Sequence, residues 1–181
     1  MFAFRLTPEI TLELVEPRHA DELFRATDAN RDHLRRRLPW VDATRTVEDT
    51  KGFIQTTRQQ LYENKGFQTA IRFRSDLVGM IGHLAIDWSN RATALGYWLA
   101  HDAQGHGIMT MSCRAYVDHA FTQLGLHRVE IRCAPDNRRS RAIPERLGFR
   151  AEGTIRSAEW LYDHFVDHVV YGILVDEWEA S

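Results

Sequence analysis

Two glycines one residue apart, Gly105 and Gly107, lie in the run HDAQGHGIM, between the apolar segment Leu95 to Ala100 and a stretch whose apolar residues return every three or four positions. Read as strand, glycine loop and helix, this order presents backbone N–H groups and the positive end of a helix dipole at the carboxyl end of a strand. Backbone of this kind binds phosphate. Two nucleotide readings fail on residue type: Thr110 stands where a dinucleotide fingerprint needs its third glycine, and no Walker lysine–serine pair follows the loop. His164 and His168 are four apart, a zinc spacing on a helix, but their segment reads as strand and no third ligand accompanies them, so no metal is expected. Cys113 and Cys133 have no C-x-x-C partner and are expected to be packing residues.

The elements that must position this loop follow from hydrophobic period. Ile10, Leu12 and Leu14 alternate with polar residues, which predicts a half-buried strand closed by Pro17. A helix is predicted from Arg18 to Asn30, and a second short piece from Leu34 to Leu38, stopped by Pro39. Arg35 to Arg37 read as a solvated face, and Trp40 either covers the core or lines a substrate cleft. Thr46 with Asp49 resembles a helix start, and Val47, Phe53, Ile54, Thr57 and Leu61 form the stripe behind it. From Phe67 the period shortens: FQTAIRFR, a turn at Ser75-Asp76, and LVGMIGHLAID predict an antiparallel hairpin, and a third strand delivers the glycine loop. Gly79 and Gly82 inside the second strand imply a bulge or a close backbone approach.

After the loop, Met109, Cys113, Tyr116, Val117, Ala120 and Phe121 fall on one helical face, and HRVEIRCA follows as a strand. A helix between two strands makes the connection a crossover, so those strands should be parallel. Asn137 caps a further helix that contains Pro144, whose missing N–H should loosen it beside Ser140. FRAEGTIR is predicted as a strand, SAEWLYDH as a connector, and FVDHVVYGILV as a last strand with Phe165, Val169, Tyr171 and Ile173 available for burial.

Composition sets outer bounds. At 181 residues one domain is expected, spanning 1–181. A net charge of -2 offers no field for gathering nucleic acid or anionic lipid. No apolar run approaches the ~20 residues of a membrane span, and the start lacks a signal peptide's apolar core, so a cytoplasmic protein is expected.

A mostly antiparallel meander, a glycine loop, a helix, a parallel strand and an N-x-x-S helix together resemble the GNAT superfamily of N-acetyltransferases, and within it the RimJ/RimL type. The resemblance covers nearly the whole chain, from ITLELVEPRHA through GYWLAHDAQGHGIM and NRRSRAIPERLGF to the closing strand. It implies an α/β (α+β) fold: a twisted, mixed, mostly antiparallel sheet flanked by helices and split at an acetyl-coenzyme A cleft. It also implies that Trp98, Leu99, Gln104, Gly105, His106, Gly107, Ile108, Met109 and Asn137 hold the coenzyme. The glycines match the family's Q/R-x-x-G-x-G/A pattern, while Asp102 replaces its usual Gln or Arg.

The chemistry implied is attack of a neutral amine on a thioester carbonyl, which needs a base and a proton for the leaving sulfur. At pH 7 a protein N-terminus is only about 1 kcal/mol from neutral, whereas a lysine needs roughly 4.6 kcal/mol. The family's common base, a glutamate two residues before GYW, is absent, because Ala94 stands there. The resemblance to RimL implies instead Glu159 as base, acting through water, and Ser140 as proton donor. His83 and Asp87 are the rivals for the base and, with Trp40, are the candidate acceptor-binding residues; Trp88, Trp160 and Tyr162 are further places for acceptor contacts. By resemblance the acceptor is the N-terminal amine of a protein, conceivably ribosomal, and the protein a homodimer. A small-amine acetyltransferase and a non-catalytic acetyl-coenzyme A sensor are the competing readings.

Overall fold

The computed structural model describes residues 3–178. In chain order it contains β1 (Ala3–Arg5), β2 (Ile10–Leu14), α1 (Ala20–Ala29), α2 (Arg31–Arg35), α3 (Val47–Tyr62), β3 (Phe67–Phe73), β4 (Asp76–Asp87), β5 (Ala92–Leu99), α4 (Ile108–Thr122), β6 (Arg128–Cys133), α5 (Arg138–Arg146), β7 (Arg150–Leu161) and β8 (His164–Leu174). The strands form one mixed eight-stranded sheet in the order β1-β2-β3-β4-β5-β6-β8-β7, flanked by the helices. Two compact units share the chain: residues 3–82 with Tyr97–Ile108, and His83–Gly96 with 109–178.

In the first unit β2 pairs antiparallel with β3, Leu12 opposite Ile71. Its core gathers Val15, Ala20, Leu23, Ile54, Ala70, Leu77 and Met80, with Trp98 packed against them. Helix α3 starts as its sequence requires: Thr46 accepts from the Asp49 N–H, and the Asp49 carboxylate accepts from the Thr46 N–H. Arg72 on β3 binds Glu13 of β2 and both carboxylate oxygens of Glu22 on α1, tying two strands to a helix. Beneath it His19 Nδ1 accepts from the Glu16 N–H, which leaves Nε2 to donate to Glu13. The short helix α2 begins earlier than the period indicates, at Arg31, and ends at Arg35, after which the Arg37 and Leu38 N–H groups both close back on the Leu34 carbonyl. Strand β1 carries no legible alternation, and its three residues are exposed along β2.

In the second unit β5 pairs parallel with β6, Ala94 opposite Glu130, as the crossover through α4 demands. Strand β6 then pairs antiparallel with β8, and β8 with β7. Buried here are Cys113, Tyr116, Val117, Val129, Ile131, Tyr171 and Ile173. Strand β7 runs through SAEWL to Leu161, so the expected connector is strand. Register shifts between Ala151 and Gly153 and between Ile155 and Glu159 interrupt its alternation and hide it from a period-two reading. Ser157, at φ 50, forms part of that irregularity, and its N–H donates to Asp167. Phe165, expected to be buried, is exposed and packs edge-on against Trp160.

Candidate active site

The glycine loop is built at the end of β5, and the first unit fixes its entrance. Gly79 of β4 has no room for a Cβ, which would strike the Trp98 carbonyl, and the Ala100 N–H donates to the Val78 carbonyl 2.7 Å away. These contacts explain the glycine in mid-strand: it is a close approach. A short 3-10 turn, His101–Ala103, follows. Two residues from the α1–α2 junction brace it. Asn30 Oδ1 accepts from the His101 N–H at 2.9 Å while its Nδ2 donates to the Ala26 carbonyl, and His33 Nε2 lies 2.8 Å from Gln104 Nε2. Nothing in the sequence marks this pair, because the partners are 71 residues apart.

Gly105 and Gly107 then adopt φ of 84° and 72°, the left-handed region that side chains with a Cβ rarely occupy. Two such residues reverse the backbone directly into α4, and the first turn of a helix is where backbone N–H groups point out along the axis. This is the form that backbone anion cradles take. Ile108 and Met109 are buried and anchor the helix start, whereas His106 is exposed, its ring centroid 5.5 Å from that of Phe73. Trp98 packs toward the first unit's core, and Leu99 is nearly buried at the strand end. Trp40, in the same unit, is 36% exposed with its ring centroid 6.3 Å from that of Trp98, so it covers the core edge and still presents a surface.

The second unit places the residues expected to do chemistry. Asn137 Oδ1 caps α5 by accepting the Ser140 N–H. Ser140 Oγ lies 3.2 Å from Cys133 Sγ at the end of β6, a contact that residue spacing does not disclose. The next residue, Arg141, donates to the hydroxyl of Tyr171, which donates to Glu145, so α5 is held against β8 through a buried phenol. Burial pushes the Tyr171 hydroxyl above its ordinary range. Glu159 stands on β7 opposite Val166 rather than in a connector, half-buried, with its Oε2 3.6 Å from His168 Nε2.

The two rivals for the base occupy other positions. His83 is fully buried, its ring 4.9 Å from Tyr116 and 6.0 Å from His119, with Nδ1 3.3 Å from Thr93 Oγ1. Burial drives it down to about 3, which leaves it neutral at pH 7, and this enclosed ring has the character of a core residue. Asp87 is exposed at the end of β4 and accepts from both the backbone N–H and the side-chain amide of Asn90, bonds that hold it below the usual carboxylate range. It is a turn former. Trp88, beside it, and Trp160 are exposed, and Tyr162 occupies the β7–β8 turn at φ 61. Among the described residues no group of three or more His, Cys, Asp or Glu could hold a metal ion, and no helix is long and apolar enough to cross a membrane.

Comparison with known proteins adds what geometry alone leaves open. Residues 9–150 match the family described as Acetyltransferase (GNAT) domain. YdaF of Bacillus subtilis (strain 168), provisionally named as a ribosomal N-acetyltransferase, is 33% identical over 182 residues, covering 100% of each chain. A structure of the ribosomal L7/L12 α-N-protein acetyltransferase RimL with coenzyme A, captured as a disulfide to one of its cysteines, superposes with a TM-score of 0.93 at 26% identity, over 97% of this chain and 99% of that one. The microcin C7 self-immunity acetyltransferase MccE, solved with acetyl-coenzyme A and AMP, superposes at 0.88 with 26% identity, over 93% and 94%.

Proposed function

The chain belongs to the GNAT acetyltransferase family, and from that premise we propose that it carries acetyl groups from acetyl-coenzyme A to the N-terminal α-amine of a protein acceptor, a ribosomal protein being the leading candidate. The coarser statement, an acetyl-coenzyme A-dependent N-acetyltransferase, follows from the family and from coenzyme-bound relatives of the same fold. The finer one is carried by end-to-end similarity to a relative named for ribosomal N-acetylation and to a structure of an α-N-protein acetyltransferase.

In this reading the loop 104–109 holds the coenzyme's diphosphate through backbone N–H groups, with Trp98 and Leu99 at the strand end and Asn137 at the head of α5. The two left-handed glycines support that fit, since the loop conformation excludes bulkier residues. When bound, acetyl-coenzyme A supplies an acyl carbon already activated as a thioester. The chain's own part is proton handling. Glu159, paired with His168, takes the ammonium proton through water, and an N-terminal amine needs only about 1 kcal/mol to reach its neutral form at pH 7. Ser140 Oγ, steered by Cys133 and by the Asn137 cap, holds the proton destined for the leaving sulfur. We place His83 in the core and Asp87 in the β4–β5 turn, outside this machinery. Trp40 remains the acceptor-side candidate of the first unit, the assembly a homodimer and the compartment the cytoplasm.

The test is thiol release from acetyl-coenzyme A across peptides with free N-termini, Nα-blocked lysine peptides and polyamines. Turnover confined to free N-termini is expected. Turnover confined to small amines would move the chain to the competing class, and tight coenzyme binding with no turnover would make it a sensor.

A further inference from the structure

Between Ala100 and Cys113 the chain has no lysine or arginine, and Asp102 adds a carboxylate to the approach of the glycine loop. A coenzyme with a diphosphate and a 3′-phosphate is therefore met by backbone dipoles alone in that segment, although phosphates in protein sites are normally met by an arginine or lysine as well. The next cation along α4, Arg114, lies over the Trp178 ring, 5.2 Å from its centroid. A cation does reach the first turn of α4, and it comes from α5. Arg146 Nη1 donates to Thr110 Oγ1 at 3.3 Å, three residues beyond Gly107 in the chain. Arg146 is exposed, sits in the last turn of its helix, and has no carboxylate partner among the described residues. Arg141, on the same helix, is committed to Tyr171 and Pro135.

We propose that Arg146 is a phosphate-binding residue for the coenzyme, supplying from α5 the fixed positive charge that the glycine loop lacks. The single hydrogen bond to the uncharged Thr110 hydroxyl parks a planar guanidinium beside the helix start with four further N–H donors to spare. Phosphate oxygens accept such donors in pairs. Thr110 thus sets the position of the group, and the phosphate takes its charge. The inference rests on the reading of residues 104–109 as the coenzyme cradle.

The experiment is titration of the full-length protein with coenzyme A and with 3′-dephospho-coenzyme A, on the native chain and on Arg146→Ala, Arg146→Lys, Thr110→Val and Gly107→Val. Arg146→Ala should weaken coenzyme A binding about tenfold, as expected for loss of one charge-assisted contact at an exposed site, and Arg146→Lys should recover most of it. A loss that disappears with the dephospho compound assigns Arg146 to the 3′-phosphate; a loss that persists assigns it to the diphosphate. Thr110→Val, which removes the tether and keeps the charge, should weaken binding by less than Arg146→Ala does. Unchanged affinity in Arg146→Ala, with Gly107→Val still weakened, overturns this inference alone. Unchanged affinity in Gly107→Val overturns the cradle on which it rests.

Discussion

At the scale of single residues, the assignments separate into groups that handle protons and groups that merely could. Ser140→Ala and Glu159→Gln should each lower kcat by about a hundredfold, the range of one acid–base contribution, and leave coenzyme affinity within about twofold. Steady-state kinetics beside a binding titration checks this, and unchanged kcat in both variants would remove them from the chemistry. His83 carries a different consequence. Its folded value of about 3 lies below the 6.5 of an ordinary histidine, so the unfolded chain takes up this proton first as pH falls. The stability it contributes is complete above pH 6.5 and is lost progressively as pH falls below it, on the order of 1 kcal/mol per pH unit. Denaturant unfolding of His83→Phe should show a flatter pH dependence across that window. His119, which burial also lowers, adds to the slope in the same direction. The sequence located His83 on a strand, but alternation reports which face a residue takes and not how deeply that face is covered. Its burial under Tyr116 depends on a partner 33 residues away that no local pattern connects to it. Ser140 was legible through its N-x-x-S spacing, while its contact with Cys133 depends on how α5 meets β6.

At the scale of elements, what could be read from the chain is what local chemistry determines. The α3 capping box, the helical face of α4 and the parallel pairing of β5 with β6 all follow from residue types at fixed spacing. Strand β7 was legible only in part, because two register shifts break the period on which strand recognition depends, and Glu159 moved from connector to strand with it. The loop's bracing by Asn30 and His33 was invisible for the opposite reason, since each contact joins elements far apart in sequence. Gly107→Val forces a β-branched residue toward a φ of 72° and should weaken coenzyme A binding at least tenfold, while an element distant from the loop keeps its stability. The ion network of the first unit gives a second test at this scale. Burial raises Glu13, but the Arg72 bonds and charge outweigh it, and the Arg72 bond also holds Glu22 below the ordinary range. Their folded values are depressed, so this stability is present above the unfolded carboxylate pKa near 4.5 and is lost as pH falls below it. Arg72→Met should cost about 2 kcal/mol near neutral pH, a partly buried network with one partner removed, and should reduce the acid sensitivity below pH 4.5. Urea titrations of the native chain and Arg72→Met at pH 7 and pH 4 isolate this effect as the difference between the two chains, because the His83 contribution is common to both.

At the scale of the whole molecule, the mixed eight-stranded sheet serves a single purpose in this account: it ends β5 where the chain must turn, and α4 and α5 begin beside their chemistry-bearing residues. The same fold carries a ribosomal α-N-protein acetyltransferase and a microcin immunity acetyltransferase, so the sheet does not select the acceptor. We assign selection to side chains such as Trp40, whose ring lies beside Trp98 and keeps an exposed surface. The most direct measurement is mass spectrometry of a peptide bearing one free N-terminus and one internal lysine, incubated with the protein and acetyl-coenzyme A while released thiol is counted. One acetyl group, on the N-terminal α-amine, is expected for each thiol released. Acetylation of the lysine alone, or thiol release without acetylated peptide, would contradict it.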